Sequence, residues 1–102
     1  MARFDVYRLT FPRLPLVVDV QSNFLSHLAT RAIVPLAPLN ARSAERIPRL
    51  TPVIDIDGAQ MILMTPEIAS FSSKLLPAPI ANLETRYRDD ITRALDFLFQ
   101  GF

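Results

Sequence analysis

Residues 53–64 carry the clearest fold signal: Val53-Ile54-Asp55-Ile56-Asp57-Gly58-Ala59-Gln60-Met61-Ile62-Leu63-Met64. Glycine adopts a positive φ without strain and aspartate tolerates it, so Asp57-Gly58 between two strand-like runs predicts a type I′ β-hairpin. The second arm, residues 59–64, is apolar on both faces, which predicts that it is the central strand of a sheet. The fold is therefore expected to rest on antiparallel strands.

Strand patterns also lie on either side of this hairpin. Residues 3–9 alternate between two faces, and residues 16–21 form a β-branched run, so both predict strands. Residues 31–36 contain Pro35, which cannot donate to a ladder, and this predicts a strand that lies at an edge or ends there. Residues 70–76 predict one further short strand. The residues expected on the second face of the first two strands are Asp5, Tyr7, Leu9 and Asp19.

Two polar connections separate these strands. Residues 22–30 lack a long period and predict a loop that carries exposed apolar residues. Residues 37–52 contain three prolines and three arginines, which predict a solvated connection with room for one helical turn around residues 41–46. Glu45 lies among those arginines and no aromatic residue interleaves with them, so a solvated basic loop is favoured over a phosphate-binding one.

The pattern changes to a helical one after Pro79. Its apolar positions are spaced three and four apart and predict one amphipathic helix: Leu83, Tyr87, Ile91, Ala94, Leu95 and Leu98. Asn82 is placed as its N-cap and Gly101 as the C′ residue. The spacing also predicts two i,i+4 charge pairs, Arg86 with Asp90 and Asp89 with Arg93.

The expected architecture is mostly β: a small, strongly bent antiparallel sheet or barrel of about six strands, with the C-terminal helix packed across it. A chain of 102 residues has room for one core, so residues 1–102 are expected to form a single domain. The first ten residues alternate and carry charges, unlike a signal peptide or a membrane span. A cytoplasmic protein with no membrane association is therefore expected.

Composition excludes several classes of function. The chain has 11 Lys and Arg against 10 Asp and Glu, and this balance disfavours direct binding of DNA or RNA. It has no cysteine, which excludes disulfides, thiolate chemistry and cysteine-ligated metal. It has two glycines, Gly58 and Gly101, so it cannot form a glycine-rich phosphate loop.

No side chains stand in a catalytic pattern. His27 is the single histidine and is interpreted as a polar loop residue, while Asp55 and Asp57 are explained by turn chemistry. No cofactor, metal or catalytic residue is therefore expected. The C-terminus holds three phenylalanines within six residues, Phe97, Phe99 and Phe102, which one helix face cannot all bury. These features predict a dimeric binding module with a recognition patch at its C-terminal helix.

Several blocks, in order, resemble the CcdB toxins of type II toxin-antitoxin systems. They are Phe4-Asp5-Val6-Tyr7, Val18-Asp19-Val20-Gln21-Ser22, Arg31-Ala32-Ile33-Val34-Pro35-Leu36, Pro52-Val53-Ile54-Asp55-Ile56 and Asp96-Phe97-Leu98-Phe99-Gln100-Gly101-Phe102. The resemblance implies an SH3-like barrel with a C-terminal helix, a fold shared with the MazF and Kid toxins, and a symmetric homodimer. It also implies a non-enzymatic poison that binds the DNA gyrase A subunit and traps the cleaved gyrase-DNA complex. A CcdA-like antitoxin would neutralise it, and operator DNA would be bound only through the antitoxin complex.

Carried over by position, the gyrase-binding residues would come from the loop and from the chain end. They are Phe24, Leu25, Asp96, Phe99, Gln100, Gly101 and Phe102. Gln100 stands where the best-known family member has a tryptophan that stacks on a gyrase arginine, and a glutamine offers hydrogen bonds but no cation-π face.

Two other functions are compatible with the sequence. One is an endoribonuclease of the MazF or Kid kind, which would need an arginine and a proton donor at the scissile phosphate, with Arg31 as the nearest candidate. The other is an inactive relic that only binds the antitoxin. Both rank below the gyrase poison, because the chain end follows the gyrase-binding pattern in outline, although Gln100 departs from it.

Overall fold

The computed structural model of the chain describes residues 1–10 and 15–101. Its strands are β1 Asp5–Arg8, β2 Leu16–Asp19, β3 Thr30–Pro38, β4 Val53–Ile56, β5 Ala59–Leu63, β6 Ala69–Ser72 and β7 Ala81–Asn82. Its helices are α1 Leu39–Arg42 and α2 Glu84–Gln100, and short 3₁₀ turns span Asn23–Leu25, Ser43–Glu45, Thr65–Glu67 and Ser73–Leu75. The seven strands form one antiparallel sheet in the order β4-β5-β3-β2-β1-β7, and β6 pairs with β3. The sheet curls into a half-barrel that packs against α2, so the predicted mostly β fold is confirmed.

The centre of the sheet is β3, not β5 as the sequence suggested. β3 pairs with β2 along one edge, and on its other edge with β6 up to Ile33 and with β5 from Leu36 onward. The prediction that Pro35 marks an edge strand was wrong, because Pro35 lies in the gap between these two partners. Its carbonyl accepts from the Met64 N–H at 2.9 Å, and in a strand the ring nitrogen points to the same side. The missing donor therefore lies opposite Met64, just beyond the end of β5, where the pair keeps one hydrogen bond and not two.

The hairpin predicted at Asp57-Gly58 is confirmed. Asp57 has φ 51° and Gly58 has φ 84°, and Ile56 faces Ala59 across the turn. The Gly58 N–H also donates to Asp55 Oδ1 at 2.8 Å, which satisfies a turn donor. β5 lies second from the edge of the sheet, not at its centre. It is apolar on both faces because both faces of the sheet are covered here. Its Met61 and Leu63 enter the main core, whereas its remaining buried residue, Ile62, packs on the other face of the sheet.

The predicted amphipathic helix is confirmed, and its first turn differs in detail. The helix begins at Glu84, and the Asn82 side chain accepts from the Glu84 N–H at 2.9 Å, although Asn82 lies in β7 and is not the N-cap residue. β7 was missed because two residues give no periodic signal. Ile91 and Ala94 are fully buried, and the Tyr87 hydroxyl accepts from the Asp55 N–H at 3.0 Å.

The charge pairs on α2 are not the predicted ones. Arg93 binds Asp90 at 2.9 Å, three residues away, and Arg88 lies 3.9 Å from Glu84. The Arg86 guanidinium instead lies 5.1 Å from the Tyr87 ring centre. All of these charges are exposed or half-buried, so each contributes little to stability.

Candidate protein-binding surface

The loop after β2 presents apolar side chains to water, as predicted. Residues Asn23–Leu25 form a 3₁₀ turn, and Ser22 Oγ accepts from the Phe24 N–H at 3.2 Å. Phe24 is 93% exposed, and Leu25 is 43% exposed. An ordered turn therefore holds a phenylalanine almost entirely in solvent, where it gains nothing from packing within this chain.

A buried ion pair lies at the base of this loop. Arg31 Nε donates to Asp19 Oδ2 at 2.7 Å and Arg31 Nη2 donates to Asp19 Oδ1 at 3.0 Å, and neither side chain has exposed surface. The sequence placed Asp19 on the second face of the sheet, and this is confirmed, but the pair itself was not predicted. The sequence nevertheless contains an indication of it. When two paired apolar strands carry one acidic and one basic residue on the same buried face, the two charges have to pair with each other. Because its side chain is buried against Asp19, Arg31 cannot contact a phosphate in this conformation.

The first strand adds a second carboxylate to this region. The Tyr7 hydroxyl donates to Asp5 Oδ2 at 3.4 Å, and Asn82 Nδ2 donates to Asp5 Oδ1 at 2.9 Å. The Tyr7 ring packs with Leu9, Val17 and Ile33 in a small cluster on the second face of the sheet. The first three residues of β1 are therefore buried on both faces of the sheet, whereas Arg8 is exposed.

We expect Tyr7 to make folding sensitive to high pH. Burial, with the nearby carboxylates of Asp5 and Asp19, raises the pKa of Tyr7 from 10.0 to about 12. Because the folded chain favours the neutral phenol, its contribution to stability is complete below about pH 10 and is lost as the pH rises to about 12. Urea unfolding across this range should show the wild type losing stability relative to Tyr7→Phe. Parallel pH profiles for the two proteins would contradict this assignment.

The C-terminal part of α2 presents the second group of predicted site residues. Phe99 is 71% exposed, and Asp96, Gln100 and Gly101 are also exposed. Gly101 has φ 80° and its N–H donates to the Phe97 carbonyl at 2.9 Å, so it ends the helix as predicted. Phe102 lies outside the described residues.

Phe97 turns back towards the protein, unlike Phe99. It is half-buried, and the Arg49 guanidinium lies 4.8 Å from its ring centre. Arg49 has a positive φ of 76°, which a non-glycine residue adopts only when its surroundings hold it there. Of the two C-terminal phenylalanines among the described residues, Phe97 is therefore covered and Phe99 is available to a partner.

The two groups of site residues lie at opposite ends of α2. Ser22, Asn23 and Phe24 line a shallow depression together with Glu84 and Arg88 of the first helical turns. From Arg88 to Phe99 the helix advances about 16 Å at its normal rise. Within one chain the structure therefore presents two separate apolar regions, at the loop and at the helix end, and does not bring them into one patch.

The other polar residues that the sequence analysis considered lie in the loop and in the hairpin turn. Within residues 1–10 and 15–101, no group of three or more His, Asp or Glu side chains could hold a metal ion. His27 is exposed in the loop, and Asp55 serves the hairpin turn. Over the same ranges, no helix is long and apolar enough to cross a membrane.

The structure thus combines a small curled β-sheet and a terminal helix with apolar side chains that are exposed in the loop and at the helix end. The family model described as CcdB protein matches residues 3–101 of the 102-residue chain. The chain therefore belongs to the CcdB family and is a toxin of the toxin-antitoxin class.

Proposed function

We propose that this toxin binds the A subunit of DNA gyrase and traps the cleaved gyrase-DNA complex, so that DNA replication and growth stop. The observation that carries the proposal is the exposure of Phe24 and Phe99 on ordered backbone. Burying one large apolar side chain in a partner contributes about 1.5–3 kcal/mol. The contact residues would be Phe24, Leu25, Asp96, Phe99, Gln100, Gly101 and Phe102.

A symmetric homodimer is part of this proposal. Each chain holds its two apolar regions at opposite ends of α2, so a two-fold dimer would present each region twice. Such repetition suits a cavity that is itself two-fold symmetric, because both halves can bind at once. The protein would act by protein-protein binding and not by catalysis.

The proposed regulator is a CcdA-like antitoxin, whose disordered segment would fold on the toxin. Operator DNA would be bound only through the toxin-antitoxin complex. The net charge of +1 supports this division of labour, because a nearly neutral protein lacks the excess of cations that DNA binding uses. The proposed place of action is the cytoplasm, where gyrase and DNA are found.

A gyrase cleavage assay tests the proposal. Purified toxin, gyrase from the matching host, ATP and supercoiled plasmid would be incubated, stopped with detergent and protease, and scored for linear DNA. We expect linear DNA to accumulate with toxin concentration and to disappear when the antitoxin is added. A parallel reaction would contain RNA in place of gyrase and plasmid. Absence of linear DNA together with cleaved RNA would overturn the proposal in favour of an endoribonuclease.

A further inference from the structure

Gln21 connects the buried ion pair to the exposed turn. Its backbone N–H donates to Asp19 Oδ1 at 3.0 Å, and its carbonyl accepts from Arg31 Nη2 at 3.3 Å. Its side-chain Nε2 donates to the Leu25 carbonyl at 3.1 Å, and its Oε1 accepts from the Ala32 N–H at 3.0 Å. All four polar groups of this residue are thus used, and its side-chain amide bridges the loop to β3.

The two ends of this bridge differ in rigidity. On the sheet side, Asp19 and Arg31 are fully buried, held by two hydrogen bonds, and lie on strands that pair with each other. On the loop side, the bridge ends at Leu25, the last residue of the 3₁₀ turn. The Gln21 amide therefore fixes the middle of the loop in position relative to the sheet.

Other hydrogen bonds fix the two ends of the loop. At its start, Asn23 Oδ1 accepts from the Arg3 N–H at 2.8 Å. At its far end, the Ser73 N–H and hydroxyl both donate to the Ala29 carbonyl at 2.9 Å. The turn is therefore held by two side chains, by Asn23 at its first residue and by Gln21 at Leu25, and the Gln21 amide joins the turn to β3.

Phe24 depends on this turn for its direction. Because it is 93% exposed, packing within the chain does not orient it, and its position follows from the backbone of residues 23–25. We propose that Gln21 is a positioning residue, which holds the turn so that Phe24 is already placed for its protein partner. This inference rests on the proposed binding of gyrase. A preordered side chain loses less conformational freedom on binding than a mobile one, and so binds more tightly.

The test replaces the amide with an apolar side chain of similar length, Gln21→Met. Gln60→Met is the matched control, because Gln60 is an exposed glutamine on β5. Binding to the gyrase A subunit would be measured by biolayer interferometry. We expect about a tenfold loss of affinity for Gln21→Met, the effect of one or two hydrogen bonds, and none for Gln60→Met. Wild-type affinity for Gln21→Met would overturn the inference.

A double-mutant cycle separates positioning from general damage. If Gln21 acts through Phe24, adding Gln21→Met to a Phe24→Ala protein should cause little further loss of affinity. An unchanged tenfold loss in that background would overturn the inference, because the effect would then come from elsewhere in the protein.

Amide hydrogen exchange keeps the inference testable if the toxin does not bind gyrase at all. Gln21→Met should speed exchange at Ala32 and within residues 23–25, while the amides that pair β1 with β2 keep their wild-type rates. Unchanged exchange in the loop would overturn the positioning role. Failure of the wild type in the gyrase assay, with faster loop exchange in the variant, would instead reject only the proposed partner.

Discussion

Deleting residues 100–102 is expected to weaken binding to the gyrase A subunit by at least about a hundredfold, because a few central residues carry most of an interface's affinity. The deletion removes Gln100, Gly101 and Phe102 and leaves the exposed Phe99 at a fraying helix end. Toxicity on expression in a sensitive host should disappear together with binding. The measurement is affinity for the purified gyrase A subunit.

The folded domain should survive this deletion. The residues by which α2 enters the core include Ile91 and Ala94, which lie about two turns before the cut. The losses among the described residues include the helix-ending hydrogen bond from Gly101 to Phe97, which contributes about 1 kcal/mol. The Tm and the affinity for the antitoxin should therefore stay close to those of the wild type.

Two further variants serve as a substitute and as a control for the deletion. Phe99→Ala leaves the Gly101 cap in place and should also weaken gyrase binding, so it replaces the deletion if the shortened chain is unstable. Leu75→Ala removes an apolar side chain that is 59% exposed in another part of the surface, and should bind normally. Strong gyrase binding by both the deletion and Phe99→Ala would place the interface elsewhere.

Short-range features of the fold could be predicted from the sequence. The Asp57-Gly58 turn needs two residues that tolerate positive φ, and the residues themselves reveal it. The helix follows from spacings of three and four, and its end follows from Gly101. The exposure of Phe24 was predicted because residues 22–30 lack the regular apolar spacing that would place it on a buried face.

Long-range pairings could not be predicted in this way. Pro35 looked like a mark of an edge strand, because the sequence does not show that β6 and β5 share one edge of β3 and leave a gap between them. The bridge by Gln21 was missed for a similar reason, since it joins Leu25 to Ala32 only after β2 and β3 have paired. Tertiary contacts, not local preference, decide such features.

Replacing the buried arginine, Arg31→Met, is expected to lower the free energy of unfolding by about 3–5 kcal/mol. The variant leaves the Asp19 carboxylate buried without its cation and two of its hydrogen bonds. A small domain has only about 5–15 kcal/mol in total, so much of its stability would be lost. Urea unfolding at one fixed protein concentration measures the change, because dimerisation would make stability depend on concentration.

The exposed pair on α2 supplies the matched control for this substitution. Arg93 lies 2.9 Å from Asp90 in solvent, so Arg93→Met should cost less than about 1 kcal/mol. The double variant Asp19→Asn/Arg31→Met should be more stable than Arg31→Met alone, because it removes the unpaired charge. Equal costs for Arg31→Met and Arg93→Met would contradict the assignment. Both arginines are bonded to an aspartate at similar distances. A larger loss of stability for Arg31→Met than for Arg93→Met would therefore show that burial of the ion pair, and not its length, sets the size of the effect.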